Sequence, residues 1–214
     1  MNGDLIRPMA SIARIDAVRY VWGVGIYAAM AIGMPLFFGA SGSGHATVFQ
    51  MLLAFALGTC AIMTPFWFIA MDRIRGGMLV LWRLPIARRT IAAAKCAEAL
   101  AINTIVLVAA AVAAYLYGPL TGDELFRTLA FGVPLDWTVT ALVCGVYFML
   151  NPQIAIFAAI AVAVAVSSGF TLVVSMFAGT SALAAVIAYI FGAVAVAVTI
   201  IVLGNVLRGV DDPT

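Results

Sequence analysis

Charge is scarce in this sequence. Only 9% of its 214 residues are Asp, Glu, Lys or Arg, against roughly 25% in soluble domains. So few charges cannot cover the surface of a water-soluble protein of this length. Histidine occurs once, as His45 in a Gly/Ser-rich stretch with no second metal ligand beside it. Hydrolytic chemistry needs a nucleophile, a base and an orienting group, and Ser41 and Ser43 do not form a GxSxG elbow. The three cysteines, Cys60, Cys96 and Cys144, are odd in number, lack metal-ligand spacing and all lie in apolar runs. They give neither a disulfide framework nor a zinc site and read as small packing residues. Short segments alternating in polarity, which a membrane β-barrel requires, are missing. So is any long hydrophilic stretch that would form a second domain. A cleavable secretion signal is not expected, because the first apolar run is too long and no small-residue cleavage site leads into a soluble domain.

Long apolar runs are what the chain has instead. Hydrophobic residues make up 65% of it, and mean hydropathy is +1.17. About 20 residues at the helical rise cross the hydrocarbon core, and backbone groups inside lipid must bond internally. Six runs meet the length: Val18–Phe38, Val48–Met71, Cys96–Tyr117, Phe131–Leu150, Gln153–Phe177 and Ser181–Leu207. The fourth carries Pro134 and Asp136 near its start. Before the first, Leu5, Met9 and Ile12 recur at helical spacing among Arg7, Ser11 and Arg14. That pattern predicts an amphipathic helix over 4–17 lying on the membrane surface. The fold class expected is therefore an all-α integral membrane protein, one domain of six transmembrane helices preceded by an N-terminal interfacial helix.

Basic residues set the orientation. Arg7, Arg14 and Arg19 precede the first run, Arg73, Arg75, Arg83, Arg88, Arg89 and Lys95 lie between the second and third, and Arg208 follows the sixth. With six spans all of these share one side, which the positive-inside rule makes cytoplasmic. Only Arg127 falls on the other. A multi-pass protein of the cell (plasma) membrane with both termini cytoplasmic is expected. The net charge of +2 then reports topology and lipid contact, not a nucleic-acid partner.

The outer connections are short: Gly39–Thr47, Gly118–Ala130 with a short helix from Asp123, and Ala178–Thr180. The long inner segment, Asp72–Lys95, reads DRIRGGMLVLWRLPIARRTIAAAK. It is too basic to span and too apolar for a plain solvated loop. Gly76 and Gly77 break the incoming helix, Met78–Leu84 forms about two apolar turns around Trp82, and Pro85 opens the next helix. A short exposed apolar helix between two hinges either docks a partner or rests on lipid, and the segment by itself fits both.

This segment resembles the cytoplasmic loop of permeases of the type-2 ABC exporter family. Members show an acidic residue after the second span, a small-residue break, a short apolar stretch and a Leu-Pro-small/polar-Arg pattern leading to a Lys. Here these are Asp72, Gly76–Gly77, Leu81, then Leu84-Pro85-Ile86-Ala87-Arg88-Arg89 with Ile91 and Lys95. Ala87 stands where the family often has a helix-capping Ser or Thr. The likeness covers the full length by layout and about 24 residues by motif. It implies that Met78–Leu84 is a coupling helix seated in a groove of a separate ABC ATPase subunit. The docking residues would be Arg75, Gly76, Gly77, Met78, Leu81, Trp82, Arg83, Leu84 and Pro85, with Trp82 and Leu81 as anchors. It further implies a second copy of this chain or a sister permease, ATP and Mg in the partner ATPase, and export of an amphipathic or apolar substrate such as a drug, peptide or lipid. The chain has no GxxxxGKS/T phosphate loop and is not itself expected to be an enzyme or to hold a cofactor.

Other residues have plainer readings. Lys95 and Glu98, at i,i+3, read as an ion pair near the inner interface, with a conformational or proton role for Glu98 as the alternative. Asn103 reads as interhelical glue, Asp136 as interfacial at the outer end, and Pro65 as a kink in the second helix. Gly25, Ala29 and Gly33, and Ala184, Ala188 and Gly192, form small-residue faces for packing within the bundle or between subunits. A secondary transporter, a membrane-embedded enzyme and a non-transporting immunity or scaffold protein are the competing functions. The sequence offers no convincing inverted repeat and no acid–base or metal constellation.

Overall fold

The computed structural model describes residues 61–83, 86–117, 120–176 and 182–211, together with scattered helical positions between 11 and 37. The first two expected spans, the interfacial helix and the first outer loop lie wholly or partly outside the described residues, as do Leu84, Pro85 and Cys60.

The described residues form helices and turns, with no strand among them. In chain order the helices are α1 (Ala61–Pro65), α2 (Met71–Ile74), α3 (Gly77–Trp82), α4 (Arg88–Tyr117), α5 (Gly122–Arg127), α6 (Val133–Met149), α7 (Pro152–Met176) and α8 (Ala182–Asp211). Two π-helical turns, Phe66–Ala70 and Thr128–Gly132, join α1 to α2 and α5 to α6. The first π turn follows Pro65, which has no N–H to donate to the preceding turn. A wide turn is the backbone's response to such a break.

Four helical stretches are long and apolar enough to cross a membrane: Arg88–Tyr117, Gly122–Met149, Pro152–Gly169 and Leu183–Val206. They make this a membrane protein and match the third to sixth expected runs. The fourth differs in extent. A capping box starts it, with the Thr121 N–H donating to Glu124 Oε2 at 2.8 Å and the Glu124 N–H donating back to Thr121 Oγ1 at 3.3 Å. The helix then continues through the second π turn, so the outer loop before it is shorter than expected.

This fourth stretch, the least apolar of the four, is also the most enclosed. Its α6 segment packs against α8, α7, α4 and α1. Its buried residues include Asp136, Thr138 and Thr140, and lipid would leave those polar groups unpaired. α7 and α8 instead turn Ile154, Phe157, Val164, Phe191 and Ile201 outward, as lipid-facing helices do. Gly192 of α8 lies so close to α6 that an added Cβ would stand 2.9 Å from the Pro134 carbonyl oxygen. The Ala184/Ala188/Gly192 face therefore packs within the chain at this residue. Among the described residues, Gly25 and Gly33 on the first small-residue face have nothing within 4 Å of an added Cβ.

Candidate functional site

The loop between the second and third expected spans begins at a backbone break. Gly76 holds φ at +73°, the left-handed region that a side chain disfavours, and helix α2 ends there. Helix α3 then runs for six residues. Met78 and Leu81, three apart and so on one face, are buried in the main core with Phe68, Ile69 and Ile91. Leu79 and Val80 point away, 59% and 64% exposed, and Arg75 and Arg83 are exposed at the two ends. Short, two-faced and tied down on one side, α3 carries apolar surface rimmed by guanidinium groups. Leu81, expected to project outward, instead fixes α3 to the bundle. The Trp82 side chain is outside the described structure.

Beneath α3 sits a buried charge cluster. The Lys95 ammonium, 0% exposed, donates to Asp72 Oδ2 at 2.6 Å and also to Asp16 Oδ2. Lys95 lies about two turns into α4, Asp72 in α2, and Asp16 among the N-terminal helical positions. A single side chain therefore joins three parts of the chain. The expected Lys95–Glu98 ion pair is not formed. Asp16 and Asp72 reach the ammonium from neighbouring segments and take its donors, whereas Glu98 keeps a buried Oε2 without a hydrogen-bond partner. Asp16 and Asp72 carried no local sign of this role, since their partner is 79 and 23 residues away. Burial raises the Asp16 carboxyl above its ordinary value, against the opposing pull of Lys95.

Arg73, the residue after Asp72, reaches the opposite element. Its Nη1 donates to the carbonyls of Tyr147 at 2.6 Å, Phe148 at 3.4 Å and Leu150 at 2.5 Å. These are the orphan carbonyls at the end of α6, where a cation also complements the helix dipole. By sequence Arg73 is one of many flanking charges. The structure makes it the clasp between α2 and α6.

A second polar group lies deeper. Asn103 Nδ2 donates to Thr140 Oγ1 at 2.9 Å, and the Thr140 hydroxyl donates to Asp136 Oδ1 at 3.3 Å. The expected role of Asn103 as interhelical glue is thus realised between α4 and α6. Asp136 corrects the expectation of an interfacial residue: it is 1% exposed, inside the bundle. The outer turns Gly122–Gly132 extend the helix above it, so its sequence position near the start of an apolar run understated its depth. On the same face of α6, Cys144 contacts Cys96 of α4, and both thiols are buried.

Compared with known proteins, the chain matches no family model, no curated protein and no solved structure.

Proposed function

We propose that this chain is the membrane subunit of an ATP-driven exporter of the type-2 ABC kind. It crosses the membrane six times with both termini cytoplasmic and forms the path for an amphipathic or apolar substrate. A separate ABC ATPase, holding ATP and Mg, docks on α3, and two membrane subunits pair in the complex.

The observation that carries this reading is the build of α3. A coupling element must offer a face to its partner and transmit a push to the spanning helices. Leu79, Val80, Arg75 and Arg83 supply the outward face. Met78 and Leu81 anchor the inward one. The loop's two ends are joined by Lys95 and Asp72, and Arg73 carries the connection to the end of α6. A load on α3 then reaches α4 and α6 together. The outward residues Leu79 and Val80 replace Leu81 as docking anchors.

The test is co-expression of the full chain with ABC ATPases from its own genome, followed by affinity purification and an ATP hydrolysis assay. A stable complex is expected. Leu79→Ser with Val80→Ser should strip the ATPase without lowering the thermal midpoint of the membrane subunit. Failure of every ATPase to co-purify sinks the reading. A second reading, a secondary transporter, is favoured by the polar group at Asp136, because such carriers place polar sites inside the bundle. Substrate transport by the chain alone, driven by an ion gradient, would select it.

A further inference from the structure

We propose that Asp136, Thr140 and Asn103 form a proton-binding site inside the helix bundle, with the proton carried on Asp136 Oδ2. The proposal rests on neither reading of the transport mechanism.

The site has one acceptor too many at each end. Asn103 Nδ2 donates to Thr140 Oγ1, and the Thr140 hydroxyl donates to Asp136 Oδ1. That leaves Asn103 Oδ1 and Asp136 Oδ2 buried with no hydrogen-bond partner. Asn103 is 0% and Asp136 1% exposed, and buried polar groups are ordinarily paired. Both free atoms are acceptors while Asp136 is ionised, and they belong to groups that meet at one hydroxyl. A single proton resolves both. On Oδ2 it turns that oxygen into a donor, and Asn103 Oδ1 is the acceptor waiting for it, directly or through one water.

Charge leads to the same place. A lone carboxylate inside a membrane is costly and marks function by default. Among the described residues no ammonium or guanidinium pairs with Asp136. The titratable and charged groups on the elements packed around it are Cys144 and Tyr147 on α6 itself, Arg88, Arg89, Lys95, Cys96 and Glu98 toward the start of α4 with Tyr115 and Tyr117 at its end, and Tyr189, Arg208 and Asp211 on α8. Lys95 is held by Asp16 and Asp72, and the Tyr189 hydroxyl donates to the Leu129 carbonyl at 2.8 Å. α1, the adjoining π turn and α7 carry no titratable side chain. The four side-chain oxygens of Asp136, Thr140 and Asn103 are also too few for a calcium or magnesium ion, which takes about six or more. A proton needs only one.

The position suits exchange with the cytoplasmic side. Asp136, Thr140 and Cys144 are spaced by four and share a face of α6. Cys144 meets Cys96, the neighbour of Lys95 in sequence, so the stripe ends at the buried charge cluster where Glu98 Oε2 is also unpartnered.

Infrared difference spectroscopy on the full chain in proteoliposomes tests this, titrating pH with carboxyl-labelled aspartate. At neutral pH the protein should show the carbonyl band of a protonated, non-aqueous aspartic acid. The band should vanish in Asp136→Asn, persist in Asp16→Asn, and shift in frequency in Asn103→Leu and Thr140→Val as its hydrogen bonds are lost. Should Asp136→Asn fail to fold, the shifts in the other two variants carry the test. A band unchanged in all three of these variants, or no protonated band at neutral pH, overturns the proposal. Loss of the band on adding sodium chloride but not choline chloride also overturns it, in favour of a metal cation.

Discussion

Lys95 and Asp72, 23 residues apart in sequence, meet at 2.6 Å with both side chains buried. The pair closes the base of the loop that carries α3. With Asp16 on the same ammonium, it also pins the N-terminal helical positions to α4.

Removing the ammonium should be far worse than removing the whole cluster. Breaking one partner of a buried ion pair strands a charge, at about 3–5 kcal/mol, whereas replacing all members by neutral groups is often nearly neutral. Lys95→Met should therefore lower the thermal midpoint in detergent strongly. Lys95→Met combined with Asp16→Asn and Asp72→Asn should recover most of the loss. Equal melting of the single and triple variants would show that the charges do not hold this junction.

Asp16 gives the protein a pH dependence of defined sign. Burial raises its carboxyl above the ordinary value, so the folded protein keeps a proton there that the unfolded chain has already released. Stability then falls as pH rises from the ordinary carboxylate range through the raised one, because the folded state binds more protons across that window. Thermal midpoints recorded as pH rises from about 4, the ordinary carboxylate value, should decline for the wild type. They should decline less for Asp16→Asn. A slope identical in the two proteins would assign the effect to another group.

The contact between α8 and α6 at Gly192 should tolerate no side chain. A Cβ there meets the Pro134 carbonyl oxygen at 2.9 Å, which is backbone and cannot swing aside. Gly192→Ala should destabilise by about 1–3 kcal/mol, the usual cost of overpacking. Gly25→Ala, with nothing within 4 Å among the described residues, is the matched control and should be neutral or slightly stabilising. Fluorescence-detected size exclusion after heating distinguishes them.

Gly76 should be the residue that sets the angle of α3. At φ +73° an alanine there costs on the order of 1–2 kcal/mol, and the chain would relax by extending α2. Gly76→Ala should thus weaken ATPase co-purification while Gly77→Ala, at a residue without positive φ, leaves it intact. Equal behaviour of the two variants would remove the left-handed turn from the coupling role.

Much of this was readable from local chemistry. Run length and charge placement marked the spans now seen in α4, α6, α7 and α8, because crossing lipid demands a minimum length whatever the neighbours. Gly76–Gly77 announced a break, and a short helix was legible from Asp123, one residue inside the start that Thr121 caps, because caps and turns depend on a few adjacent residues. The Lys95–Glu98 expectation failed for the complementary reason. Helical spacing shows who stands near Lys95 on its own helix, but Asp16 and Asp72 arrive from elsewhere in the chain.

By itself, then, the sequence determined that this protein is helical, that it resides in a membrane and that a basic, partly apolar segment, Asp72–Lys95, leads into the span of α4. Only the tertiary structure decided which face of each helix is inside. In lipid the outward face is as apolar as the core, so α7 and α8 carry little asymmetry to reveal their orientation. The few polar side chains carry that information, and only once paired. By its position in the run Asp136 reads as an interfacial residue. It became an interior one when Thr140 and Asn103 were found beside it, and α6 became the centre of the bundle because polar groups at that depth must turn away from lipid.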